Sequence, residues 1–199
     1  MVLVIGHAEL LLELCERGLL LAADATLPSV ATIVAGEPVH GSWWAHPKSH
    51  AIFAALSALA RHPDAIAIPL ISRKVTVVHR RLWPALLAVA EAREPWQTKG
   101  LSPKARALLR RVDTAGERQT SGDAVRELER RLLVKTEQIH TERGSHAKVV
   151  ERWDRWARRA SVAPLKDVAA ARRAIEEAAD ALASPRAVRP TLPWARRST

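Results

Sequence analysis

Two β-rich apolar runs, residues 65–71 and Val75–His79, are separated by only three polar residues, Ser72-Arg73-Lys74. Apolar runs this close together have little choice but to fold back on one another as a hairpin. Pro69 has no N–H to give to a ladder, so it must sit at an edge or a bulge. The residues before the hairpin read as three helices and a short strand. Leu10, Leu11, Leu14 and Cys15 recur at helical spacing within residues 8–17, and Gly18 stops the helix. Residues 19–22 are a brief apolar run of strand character. Pro28 suits a first turn, and residues 29–35 form a short helix closed by Gly36. A longer helix runs over residues 47–61, with Ile52, Phe53, Leu56 and Leu59 on one face, and His62-Pro63-Asp64 ends it.

Helix, strand, helix, helix, strand, strand is the order of a winged helix, a helix-turn-helix variant with a β-hairpin wing. Arg73 and Lys74 would then lie at the wing tip. Residues 83–92 read as a connecting helix that Glu94-Pro95 breaks. A second module follows. Ser102 caps and Pro103 opens a helix whose face is Ala105, Leu108, Leu109 and Val112, and Gly116 closes it. Residues 117–120 form a short strand, residues 124–133 a helix, and residues 134–142 and 146–150 a second hairpin, with Arg143-Gly144 in its turn. The span from Gly116 to Ser121 is too short for a separate second helix. A helix continues through Trp153 and Trp156, and an Ala-rich helix fills residues 164–183. Residues 184–199, with Pro185, Pro190, Pro193 and four Arg, read as a disordered basic tail. The expected fold is α+β and mainly helical: tandem winged-helix modules over 1–94 and 95–160, a C-terminal helix over 161–183, and the tail over 184–199.

Charge divides the chain unevenly. Residues 1–100 carry nine basic and eight acidic side chains, and residues 101–199 carry 22 and 13. Basicity confined to one half points to a polyanionic partner. A coding bias toward Arg and Ala is the plainer alternative. With 48% hydrophobic and 26% charged residues the composition is that of a folded chain. No apolar run approaches the 18 or so residues that span a bilayer, so no membrane role is expected. The N-terminus lacks a basic segment ahead of its apolar stretch, which argues against a secretory signal. A single Cys15 forms no internal disulfide, consistent with a reduced, cytoplasmic setting, nucleoid-associated if the partner is DNA.

Little in the sequence carries chemistry. His40, His46 and His50 have no Cys or carboxylate beside them in sequence, and polar loop residues packing on Trp43 and Trp44 explain them as well as a metal does. No nucleophile elbow, Walker loop or dinucleotide fingerprint is present. Asp113, Asp123, Glu127 and Glu129 read as helix-end carboxylates. No catalytic residue, cofactor or metal is assigned. Seven Trp, with one Phe and no Tyr, read mostly as core anchors. The set that could act is basic: Arg126, Arg130, Arg131, Lys135, Arg143, Lys148 and Arg152, with Arg73 and Lys74 of the first hairpin. Arg and Lys on a helix face beside a hairpin tip are what phosphate contact requires. A solvated face with pairs such as Glu127–Arg131 is the alternative.

Three segments carry a resemblance. They are Gly41-Ser42-Trp43-Trp44-Ala45-His46-Pro47-Lys48, the run from Lys74-Val75-Thr76-Val77-Val78-His79 through Arg80-Arg81-Leu82-Trp83-Pro84 to Val89, and Leu128-Glu129-Arg130-Arg131-Leu132-Leu133-Val134 followed by His140-Thr141-Glu142. Over roughly residues 8–160 the chain resembles small bacterial winged-helix proteins distantly similar to the DNA glycosylases that unhook interstrand crosslinks (the AlkZ/YcaQ family). That family is built of tandem winged helices and uses a Gln-x-Gln motif. Here Gln97, Gln119 and Gln138 stand apart. The resemblance therefore implies double-stranded DNA as partner, in repair or transcription, without a catalytic site. A divergent glycosylase acting on alkylated or crosslinked bases, and a protein-interaction module or homodimer built on the same scaffold, are the alternatives.

Overall fold

A computed structural model describes residues 7–140, 146–183 and 189–195. By their contacts the residues divide into two compact units, residues 1–83 with 173–199, and residues 84–172. The chain is α+β, with more helix than strand and two small antiparallel sheets.

Unit 1 contains α1 (His7–Arg17), β1 (Leu19–Leu21), α2 (Val30–Ala35), α3 (Ser49–Ala60), β2 (Ala65–Pro69) and β3 (Val75–His79). The sheet order is β1-β3-β2, so the first strand pairs with the far arm of the hairpin: Leu20 faces Val77 and Ile66 faces Val78. Pro69 ends β2 on an edge strand, where a missing N–H costs no ladder bond. Leu10 and Leu14 of α1, Leu20, Val30, Leu59, Ala65 and Val77 close the core. The α1–β1 junction needs glycine. Gly18 has φ +79°, and a Cβ there would come within 2.6 Å of the Arg81 guanidinium. That guanidinium is fixed by donating to the Cys15 and Glu16 carbonyls at 2.9 and 3.0 Å, which are among the last carbonyls of α1.

Unit 2 repeats the plan with one element fewer. After α4 (Trp83–Glu91), which begins at the boundary, and the short α5 (Pro95–Thr98) come α6 (Pro103–Ala115), β4 (Glu117–Thr120), α7 (Asp123–Arg130), β5 (Lys135–His140), β6 (His146–Glu151) and α8 (Trp153–Ala160). The sheet order is again first-third-second, β4-β6-β5. Only Ser121 and Gly122 separate β4 from α7, where unit 1 has α2. Ser102 Oγ accepts from the Ala105 N–H and Gly116 closes α6 at φ +76°, as the sequence predicts. Leu101, Leu108, Leu109, Val112, Val125, Leu128, Leu133, Val134 and Val150 form the core. Helix α7 ends through Leu132 at φ +52°. This backbone is unusual for a bulky residue, but it points Leu132 inward, where it is fully buried.

Two expectations change. Glu94-Pro95 ends α4 as the sequence predicts, and Pro95 also opens α5, where the Gln97 side chain accepts from the Glu94 N–H at 2.8 Å and donates to the Ala90 carbonyl at 3.0 Å. The division by contacts falls at 83/84, where the sequence reading divides the modules at 94/95. The last helix, α9, spans Val168–Asp180, and the units divide within it. Residues 189–195 are also not a loose tail. Leu192 is buried, Ser72 N–H donates to the Thr191 carbonyl at 2.7 Å, and Trp194 Nε1 donates to Glu176 at 2.7 Å. Two apolar anchors among the prolines outweigh the disorder that the composition suggests.

Asp24 ties the β1–α2 loop to the hairpin. Its carboxylate accepts from Lys74 Nζ at 2.6 Å and from the Thr26 and Leu27 N–H groups at 2.8 and 3.0 Å. Burial alone would raise its pKa, but Lys74 and the two N–H groups outweigh burial and hold it at about 2. The unfolded carboxyl titrates near 3.8, so the unfolded chain binds more protons between these values. The stability that Asp24 contributes is therefore full above about pH 4 and is lost as pH falls toward 2. Asp24→Asn should cost about 2 kcal/mol at neutral pH and flatten the acid limb of stability between about pH 4 and 2, as read from urea midpoints at each pH.

Candidate nucleic-acid interface

The basic residues singled out by sequence do not form one free surface. Arg126 and Arg130 lie four apart on α7, directly ahead of the β5–β6 hairpin, and both are exposed. Arg126 pairs with Asp123 one turn away, a contact open to solvent. Arg130 has no carboxylate partner among the described residues. Arg73 is exposed at φ +60° beside Ser72 at φ +50°, so the first hairpin turns through two left-handed residues. Arg143, at the expected tip of the second hairpin, lies outside the described residues.

The other five are tied to partners within their own unit, Lys135 buried and Lys74 and Arg152 still half exposed. Lys74 is bound to Asp24. Arg131 Nη1 donates to the carbonyls of Trp96, Gln97 and Lys99 at 3.2, 3.2 and 2.7 Å, sealing the end of α5, and its guanidinium lies 3.9 Å from Glu127. Glu127 in turn accepts from the Ser102 N–H at 3.0 Å. Its pKa is lowered: burial raises it, and the Ser102 hydrogen bonds and Arg131 more than reverse that. Arg152 forks onto Asp154 at 2.8 and 3.0 Å and reaches the Asp113 carbonyl.

Lys135 and Lys148 belong to a charge arrangement that crosses the second sheet. Register places Lys135 opposite Glu151, Thr136 opposite Val150, and Gln138 opposite Lys148. Period-two alternation then puts Thr136, Lys148 and Val150 on one face and Lys135 and Glu151 on the other. On the first face Glu129 of α7, buried, accepts from Lys148 Nζ at 2.6 Å and from the Thr136 hydroxyl. On the second face Glu151, 2% exposed, accepts two bonds of 2.7 Å from Arg159 of α8. Lys135 is 7% exposed, and its ammonium donates to the Thr136 carbonyl at 2.7 Å. Burial lowers its pKa, against the opposing pull of Glu137 and Glu151. An amine so enclosed does not reach a phosphate. Glu129 is therefore an interior acceptor, not the helix-end carboxylate that its position suggests.

Other candidates are equally specific in placement. Gln97 is fully buried with its amide bonded to the Ala90 and Arg131 carbonyls. His46 faces Glu37 at 3.3 Å and accepts from the Lys48 N–H. Among the described residues no group of three His, Cys, Asp or Glu side chains is placed to hold a metal, and no helix is long and apolar enough to cross a membrane. Cys15, expected on the apolar face of α1, is exposed. Trp83, Trp153 and Trp156 are buried as expected of anchors. Trp44 is not: it is 62% exposed, stacked on Trp43 at 4.0 Å and tilted against exposed Phe53 of α3 at 5.6 Å.

Sequence reading passed over a groove in unit 2. A hollow of about 510 Å³ runs between α6 and the start of α7, lined by Lys104, Ala107, Leu108, Arg111, Thr120 and Ala124 among others. The signal was present in α6, where Lys104, Ala107 and Arg111 recur at i, i+3 and i+7 beside the buried face.

Comparison with protein-family models, curated proteins and solved structures finds no match to this chain. The ion pairs lead to an outcome that separates structural from surface cations. Arg159→Ala takes both guanidinium hydrogen bonds from the buried Glu151, leaving it the Lys135 ammonium on the same face, and with Arg159 itself half exposed should cost about 1–3 kcal/mol. Arg130→Ala should stay within about 0.5 kcal/mol of the parent. Chemical denaturation of the two variants checks the contrast.

Proposed function

We propose that the chain is a double-stranded DNA-binding protein of two winged-helix-like units, in which α7 lies along the phosphates and the β5–β6 hairpin is the wing. The observation that carries this reading is the pair Arg126 and Arg130, exposed on one side of the helix that leads into the hairpin. The repeated first-third-second sheet order supports it, since each unit then offers a helix followed by a hairpin. The Arg126–Asp123 contact does not stand in the way. An exposed pair of this kind is worth about 0–1 kcal/mol, less than a guanidinium gains against phosphate. With most other candidate cations committed internally, binding rests on few phosphate contacts, so it is moderate in affinity and limited in salt dependence.

Repair is the setting implied by the resemblance to the crosslink-unhooking glycosylases. The absence of Gln-x-Gln, and the commitment of the Gln97 amide to backbone carbonyls, favour a binder over a base-excising enzyme. One observation favours a different role for unit 1. Helix α3 carries no charged side chain, and the exposed Trp44 and Phe53 offer an apolar ledge, which suits a protein contact better than phosphates.

Replacing Arg126 and Arg130 together by Ala should weaken duplex binding by about 1–3 kcal/mol and lower the slope of log K against log salt by about two, with the melting temperature unchanged. Fluorescence anisotropy on a labelled duplex at several salt concentrations measures both. Undiminished affinity in a folded double variant would remove α7 from the interface.

A further inference from the structure

The two units differ by one helix, and the difference leaves a surface. In unit 1, α2 sits between the first strand and α3. It buries Val30, Ala31 and Ala35, and Val30 joins the core beside Leu10 and Leu14 of α1. In unit 2 the corresponding link is Ser121-Gly122, and α6 and α7 take the places of α1 and α3. The groove of about 510 Å³ lies at this link: Thr120 and Ser121 line it together with residues of α6 and Ala124 of α7. Its floor is apolar, made by Ala107, Leu108 and Ala124, and its rim carries Lys104 and Arg111 with no carboxylate among the lining residues. Arg110 lies next to it, lining a second, shallower hollow with Ala107 and Arg111.

We propose that this groove docks a short amphipathic helix of an acidic partner protein, about two turns long, which supplies from outside the helix that unit 2 lacks. Helix α2, six residues long, gives the length of the occupant. Charge gives its chemistry: carboxylates flanking the apolar stripe meet Lys104 and Arg111, while Leu or Val side chains enter against Ala107 and Ala124. The same charge argues against a second copy of this chain offering its own C-terminal residues, a stretch of sequence that holds Arg186, Arg189, Arg196 and Arg197 and no acidic residue after Asp180. It argues also against nucleic acid, because a phosphate backbone gains nothing from an apolar floor.

The test uses the full chain and a fluorescein-labelled stapled helix with leucines along one face and glutamates on both sides of them. A control helix replaces each glutamate by lysine. The glutamate helix should bind at least about tenfold more tightly than the lysine helix, and Lys104→Glu with Arg111→Glu should reverse that preference. Both substituted residues are exposed, so the fold is kept. Ala107→Trp, which fills the floor, should abolish binding of the glutamate helix while leaving duplex affinity unchanged. Equal binding of the two helices, or binding that survives Ala107→Trp, overturns the proposal. So does a loss of duplex affinity in the charge-reversed variant without any effect on the peptide, which would assign the groove to nucleic acid.

Discussion

Two buried carboxylates decide how unit 2 uses its positive charge. Glu129 and Glu151 lie on opposite faces of the same three-stranded sheet, and each takes a cation from a neighbouring element: Lys148 from β6 and Arg159 from α8. A carboxylate removed from water without a partner is costly, so these cations cannot leave without destabilising the sheet. The hairpin and α8 are thereby locked to α7 and to each other. The basic excess of the C-terminal half, read as a whole, overstates the charge available to any partner. Part of it is spent on the interior.

Unit 1 reaches the same solution at one point. Lys74, just ahead of β3, binds Asp24 in the loop after β1, and Lys148, within β6, binds Glu129 on α7. In both units a hairpin lysine is drawn back onto the body of the fold. The third strand of each sheet is thus joined to the fold by its ladders and, at or beside the strand, by an ion pair as well.

Local signals were legible where local physics decides. Ser102, Pro103 and Gly116 bound α6 because caps and left-handed glycine act within a turn of the residues that carry them. The first hairpin followed from two apolar runs joined by a short polar connection, whereas the imperfect alternation of the second left its register open. What a partner distant in sequence decides is not legible in this way. Arg131, Lys135 and Lys148 look like a phosphate-facing set, yet Arg131 seals a helix some 30 residues earlier and Lys148 answers a carboxylate 19 residues earlier. Burial of an ion pair leaves no periodic trace. Pro95 both follows the end of α4, as the sequence shows, and opens α5, which the sequence does not show, because proline serves equally as a terminator and at N1. Residues 189–195 were read as loose because Leu192 and Trp194 are sparse among prolines and arginines.

The absence of a helix between β4 and α7 was visible in the sequence as a count of residues, but its meaning depends on the pair of units. A link of two residues cannot cover the junction of α6 with α7, and a folded protein leaves apolar surface open only at a cost. Unit 2 keeps that surface small, with alanines at Ala107 and Ala124 where larger side chains would fill the gap. Small residues on a floor flanked by Lys104 and Arg111 hold the groove open and keep its rim hydrated. Unit 1 has α2 at that place in its chain order and buries Val30 against Leu10, Leu14 and Leu59, and Ala31 against Ile52. The same topology therefore gives one unit a completed core and the other an apolar floor within a basic rim. The contrast between them follows from residue count before any partner is considered.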